Sequence, residues 1–213
     1  MAGKVQSPCP VYRIVHFDNL AGIIEEGGMW CGAEMARRQL PYKQIGLGGL
    51  TANRQKKEVP CGPQGSLSDY VPFHFCPRSV MLYQICTGFS DYKGGQEPIL
   101  HLVTTVEKLR ELDVPCVFTD RHAKTDYARF FADPTKLAEL DWPAIRSNTF
   151  TRTDDDPDRP YRKQAEFLAH RFVPLAAILG VGVFGRRWKD DCDRLIHQAG
   201  LNVRVKVHPR WYY

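Results

Sequence analysis

The chain has 213 residues, enough for one domain with a sizeable core. Hydrophobic residues make up 43% and charged residues 25%, an ordinary globular balance, and no apolar run reaches the roughly 20 residues that cross a bilayer. The net charge is +5, and the seven cysteines include no C-x-x-C pair, which removes support for a zinc site or a thioredoxin-like motif and suits reduced thiols in a cytoplasm.

The first ten residues lack the apolar stretch of a secretory signal and are expected to be flexible. Val11 to His16 reads as a strand, and Asp18 is positioned to cap a helix from about Asn19 to Glu26, stopped by Gly27-Gly28. From Trp30 to Leu67 periodicity is weak and Gly and Pro are frequent, so a long loop is expected, of the kind that is usually functional or mobile. Tyr70 to Phe75 reads as a strand, and Ser79 as the N-cap of a helix reaching Cys86. A strand at Pro98–Val103, a helix at Thr105–Leu112 and a strand at Val114–Phe118 follow. Helices are expected over about Asp126–Phe131 and Thr135–Leu140, the second opened by Asp133-Pro134. Thr151 to Pro160 is acidic and reads as a surface loop. Gln164–Phe172, Ile178–Phe184 and Val203–Val207 read as strands, with a helix at Asp190–Gln198 before the last. No regular βαβ alternation runs through the chain, so a single mixed α+β domain fits better than a doubly wound one.

Several chemistries lose support at once. The chain has no G-x-x-x-x-G-K-[ST] phosphate loop, no G-x-G-x-x-G after a strand, no H-E-x-x-H and no G-x-S-x-G. Positive signals from single residues are modest. Glu166 sits in Gln164-Ala165-Glu166-Phe167-Leu168, where a carboxylate is unusual for a half-buried strand and needs a partner or a task. An outward-facing Glu paired with a cation explains it as well. His16 and His122 each end an expected strand, where ligand-binding groups are often found and structural histidines more often still. Arg37, Arg38, Lys43, Arg54, Lys56 and Lys57 crowd one stretch, opposed only by Glu34 and Glu58, with Trp30 and Tyr42 nearby. Cations for phosphates and rings for unstacked bases suit a single-strand binder. A solvated basic loop remains the competing explanation.

Taken together, six segments resemble the DarT family of DNA ADP-ribosyltransferase toxins, in that family's order. They are Tyr12–Leu20, Asp69–Tyr83, Gly94–Val103, Val117–His122, Lys163–Leu168 and Trp211–Tyr213, so the resemblance spans nearly the whole chain. It implies a mono-ADP-ribosyltransferase fold, with a split, mostly antiparallel β core and peripheral helices. It also implies transfer of ADP-ribose from NAD to single-stranded DNA, with no metal. The thymidine-modifying branch is the nearer match, at thymine N3, and its guanosine-modifying relative is the alternative, beside a catalytically idle single-strand binder. By the same resemblance Glu166 is the catalytic glutamate, and Arg54 stands beside the reacting base. Arg13, His16, Asn19, Tyr70 and His122 are implied as NAD contacts. Residues 30–67 would be the substrate-binding region, with Arg37, Arg38, Tyr42, Lys43, Lys56 and Lys57 for DNA. A macrodomain antitoxin that removes the mark is the implied partner.

Overall fold

The computed structural model describes the backbone of residues 5–213 and the side chains of all of these except 50–52. The flexibility expected of residues 1–10 falls partly on 1–4, outside the described residues. Cys9 is buried, its amide donates to Glu107 Oε2 at 2.9 Å, and Pro10 opens the first strand.

That strand, β1 (Pro10–His16), leads through a 3-10 turn at Phe17–Asn19 into α1 (Leu20–Glu25), which buries Leu20 and Ile23. The cap at this start is not Asp18. The extra turn puts the first free amide on Asp18 itself, and His16 Nδ1 accepts it at 3.0 Å. β2 (Gly28–Trp30) comes next. The stretch expected as a loop then contains α2 (Gly32–Arg38) and α3 (Gly48–Arg54). No residue of α2 is fully buried, so it carries no apolar stripe for a sequence reading to find. Glu34 in its first turn and Arg37 and Arg38 in its last instead complement the helix dipole and pair with one another.

β3 (Tyr70–His74) precedes α4 (Val80–Cys86), where Ser79 Oγ accepts the Leu82 amide at 3.1 Å. β4 (Ile99–Thr105) runs into α5 (Val106–Glu111) with Thr105 as its cap, then β5 (Cys116–Thr119). The helix expected at Asp126–Phe131 is absent, and Phe130–Phe131 forms β6 against β5. The Phe131 ring stacks on Phe118 with centroids 5.2 Å apart, a cross-strand pairing that overrides local propensity. A 3-10 helix at Pro134–Glu139 follows, then α6 (Trp142–Arg146) and α7 (Arg159–Arg162). The strand expected over Gln164–Phe172 is broken at Arg171, whose φ of 57° turns the backbone, into β7 (Glu166–His170) and β8 (Phe172–Pro174). β9 (Gly180–Val183), α8 (Arg186–Gln198) and β10 (Arg204–Val207) complete the order.

Among the described residues eight strands form one sheet in the order β10-β9-β4-β1-β3-β7-β5-β6, and β2 pairs with β8 separately. Only β9 and β10 run parallel. The ladder is uneven. β1 and β4 pair from Pro10↔Thr105 to His16↔Ile99, and β3 and β7 from Tyr70↔His170 to His74↔Glu166. Between these halves β1 and β3 share the single register pair Tyr12↔His74. The sheet therefore splits at its middle. Val11, Val15, Leu102, Phe73 and Phe167 pack into the main core, while Ile14 and Ile99 join Leu82, Ile85 and Tyr212 in a second cluster. No helix among the described residues is long and apolar enough to cross a membrane, and all seven cysteines are free thiols.

Candidate active site

The split brings three side chains into one row. Residues directly opposite in a ladder share a face, so Glu166 on β7, His74 on β3 and Tyr12 on β1 lie side by side across it. Glu166 is 3% exposed. Its Oε2 accepts from Arg54 Nη1 at 3.0 Å, its Oε1 accepts from the Ala123 amide at 3.0 Å, and its own amide donates to Thr119 Oγ1 at 3.1 Å. Burial alone would raise its pKa. The Arg54 guanidinium, His122 and the Ala123 amide more than offset that and hold the carboxyl at about 2. An ionised carboxylate thus sits in a nearly dry place, fixed from both oxygens.

Arg54, the last residue of α3, spends Nη1 on Glu166, while its Nη2 is buried with no hydrogen-bond partner. An orphaned buried donor is costly unless a ligand uses it. His122 follows the end of β5. Its Nδ1 accepts from the Lys124 amide at 3.1 Å, which puts the proton of the neutral ring on Nε2, and lies 3.9 Å from Glu166 Oε1. His74 was not singled out by the sequence reading. Burial lowers its pKa to about 4, reinforced by the charges of Arg13 and Arg54 against the pull of Glu166, so it is neutral at neutral pH. The signal was available, since His74 ends its strand just as His16 and His122 end or follow theirs.

The implied NAD contacts separate into groups. His16 is buried at the far end of β1, with Nε2 3.1 Å from the Tyr92 hydroxyl. Since Nδ1 accepts the Asp18 amide, Nε2 is the protonated nitrogen and donates to that hydroxyl. Asn19 uses both ends of its amide on the Lys43 backbone, at 2.9 and 2.7 Å, and so pins residue 43 against the strand end. Arg13 Nη1 donates to the Pro72 carbonyl at 3.2 Å, a tie across the split. Tyr70 is 1% exposed, packs in a separate cluster with Val59 and Leu67, and donates its hydroxyl to the Gln64 carbonyl at 2.7 Å. The structure gives it a scaffold position, four register steps from Glu166.

The basic stretch is less free than its composition suggests. Arg37 and Arg38 both reach Glu34, and Arg38 lies over the Trp30 ring at 3.7 Å. Lys43 Nζ pairs with Asp18 at 2.7 Å and Lys57 Nζ with Asp126 at 3.4 Å. Lys56 is exposed and Tyr42 half-buried. Only Arg54 of the series reaches the buried carboxylate. Among the described residues no three His, Cys, Asp or Glu side chains are grouped to hold a metal. The arrangement can stabilise a developing positive charge with a fixed carboxylate and offer an unspent cationic donor to an electron-rich group beside it.

Comparison with known proteins identifies the chain's relatives. Residues 12–213 match the family model described as "ssDNA thymidine ADP-ribosyltransferase, DarT". A DNA ADP-ribosyl transferase of Thermus sp. (strain 2.9) is 41% identical over 210 residues, covering 97% of each chain. The solved structure of Thermus sp. 2.9 DarT in complex with ADP-ribosylated ssDNA superposes with a TM-score of 0.94 at 38% identity, covering all of both chains. That of the same protein in complex with NAD+ gives 0.87 at 38% identity, over 99% of this chain and 100% of that one.

Proposed function

This chain belongs to the DarT family and is an NAD-dependent DNA ADP-ribosyltransferase, and we propose that its acceptor is N3 of a thymine in single-stranded DNA. The observation that carries the reading is Arg54, which holds Glu166 with one amino group and keeps the other buried and unspent at the same site. A thymine ring offers carbonyl oxygens on both sides of N3, and a planar cationic fork suits such an edge.

In this reaction the bond between nicotinamide and ribose breaks, and its electron pair leaves with nicotinamide. Positive charge develops on the ribose, where Glu166 stabilises it more than it stabilises the ground state. N3 then bonds to the ribose carbon, and its proton passes to Glu166. A carboxyl held at about 2 is a weak base. When the acceptor draws Arg54 onto its carbonyl, the ion pair loosens and the carboxylate regains basicity as it is needed. His16, Asn19, Arg13 and His122 serve the donor, and the region 30–67 serves the strand. Unstacking the base is cheapest in a single strand. In this reading the enzyme is the toxin of a toxin–antitoxin pair, whose partner is a macrodomain that hydrolyses the mark. Family resemblance supports that role.

The test is incubation with NAD and oligonucleotides carrying a single thymine or a single guanine, read by mass. ADP-ribose is expected on the thymine strand only, and replacing thymine by 3-methylthymine is expected to abolish it. Modification of the guanine strand alone would move the enzyme to the other branch of the family.

A further inference from the structure

Beside the catalytic row, on the side away from His16, the split opens into a cavity of about 260 Å³. Its walls include Tyr12, Arg78, Arg146, Lys163 and Arg210, and no acidic side chain lines it among the described residues. Lys163 is the unusual member. It is 4% exposed, and its ammonium donates to the Ile145 carbonyl at 2.7 Å and to Cys76 Sγ at 3.2 Å. No carboxylate lies within ion-pair distance of it among the described residues. Arg78 donates from Nε to the Tyr212 carbonyl at 2.8 Å, its guanidinium 5.2 Å from the Tyr213 ring. The Arg146 guanidinium lies 5.0 Å from the Trp142 ring. Arg210 is exposed at the rim. A buried ammonium without a counter-charge is expensive, and anionic ligands are what such a cavity rewards.

We propose that this cavity binds the phosphodiester next to the target base, so that Lys163 and Arg210 fix the strand's register on Glu166. The inference rests on the DNA-modifying reading above and adds where the strand is held. Position favours this anion over the pyrophosphate of NAD. Tyr12 belongs both to the row and to the cavity wall, whereas His16 stands four residues further along β1, about 13 Å away. Cys76, under the Lys163 ammonium, lies two residues beyond His74 and so no more than about 7 Å from the row. The catalytic row therefore separates the strand end assigned to NAD from the cavity, and a base delivered from the cavity side meets the ribose across Glu166. Trp211 supports the Tyr12 side of the cavity from outside it, its ring 5.3 Å from Tyr12 and edge-on to it. Gly182 on β9 makes room for that ring, because a Cβ there would collide with it.

The experiment is a scan in which each phosphate of a short single-thymine oligonucleotide is replaced, one at a time, by an uncharged methylphosphonate. With wild-type enzyme one position flanking the thymine is expected to raise KM about ten- to a hundredfold. In Arg210→Gln, whose side chain is exposed, KM for the unmodified strand rises and the penalty at that one position shrinks toward none. KM for NAD is unchanged. Lys163→Met gives the same pattern if it folds, and Arg210→Gln decides the matter if it does not. Equal penalties at every position in both proteins would overturn the proposal. So would a loss of NAD affinity with an unaltered phosphate profile, which would give the cavity to the pyrophosphate. If the enzyme modifies guanine instead of thymine, the acceptor assignment falls, and the same scan on a guanine strand still decides the cavity.

Discussion

Arg54 and Glu166 form a pair whose two members need each other for different reasons. The carboxylate is buried and ionised because Arg54 and the Ala123 amide hold it so, and Arg54 can hold a bare amino group in the interior because it is anchored through the other. Glu166→Gln is expected to leave NAD binding nearly intact while kcat and kcat/KM fall together by about 10²- to 10³-fold, the signature of an interaction made in the transition state. Near-normal turnover by this variant would remove Glu166 from the chemistry. The pair also sets a pH dependence of stability. The folded-state value of about 2 lies below the usual carboxylate value of 4.5, so ionised Glu166 stabilises the fold above about pH 4.5, and that contribution fades as pH falls toward 2. Urea unfolding of wild type and Glu166→Gln is expected to differ most at pH 6 to 7 and to converge toward pH 2. Arg54→Ala strands the buried carboxylate and is expected to cost about 3 kcal/mol, with part of the loss recovered in the double variant Arg54→Ala/Glu166→Gln. Strict additivity in that cycle would mean the two side chains do not support one another.

At the scale of elements, α3 matters because its last residue is Arg54. Its N-terminus begins with Gly48, whose amide donates to Asp91 Oδ2 at 2.7 Å, so a carboxylate from a distant loop caps the helix. Asp91→Ala is expected to cost about 1 kcal/mol of local stability and to lower kcat several-fold with little change in NAD affinity, because Arg54 loses its fixed start. Hydrogen exchange over residues 48–54 together with kcat measures both, and unchanged exchange would deny the cap any role. This element also marks the limit of what the sequence discloses. Short apolar runs buried on both faces, such as those of β1 and β4, can be read from the sequence, as can α4 from Ser79. α2 cannot, because it buries no residue fully and is held by ion pairs, and the cap of α3 comes from Asp91, far off in the chain. β6 misleads for a related reason, since Phe131 answers to Phe118 across the ladder and not to its neighbours. The roles proposed for Arg54 and Glu166 were legible only through family resemblance. By residue type alone Glu166 was a strand carboxylate awaiting a cation, and its cation stands 112 residues away. His74 went unnoticed because its importance lies in its register opposite Glu166, which no local pattern encodes.

Across the whole molecule the decisive feature is the seam at β1 and β3. Its single register pair predicts that amides bordering it exchange faster than those inside the β1–β4 and β3–β7 ladders, and that NAD with a thymine strand slows them most. Uniform protection across the sheet would show a seam closed as tightly as its flanks. The same layout bears on how the chain reaches its active form. β1 must find β4, and β3 must find β7, each across roughly ninety residues of sequence, before the row of Tyr12, His74 and Glu166 exists. Pairings so distant are slow to close, because the entropy of a large loop is lost before any contact rewards it. Helices such as α8 form from near neighbours and come early. The row that holds Glu166 is therefore expected to close late in folding, so that in a refolding experiment NAD turnover should appear only after the helical signal has recovered.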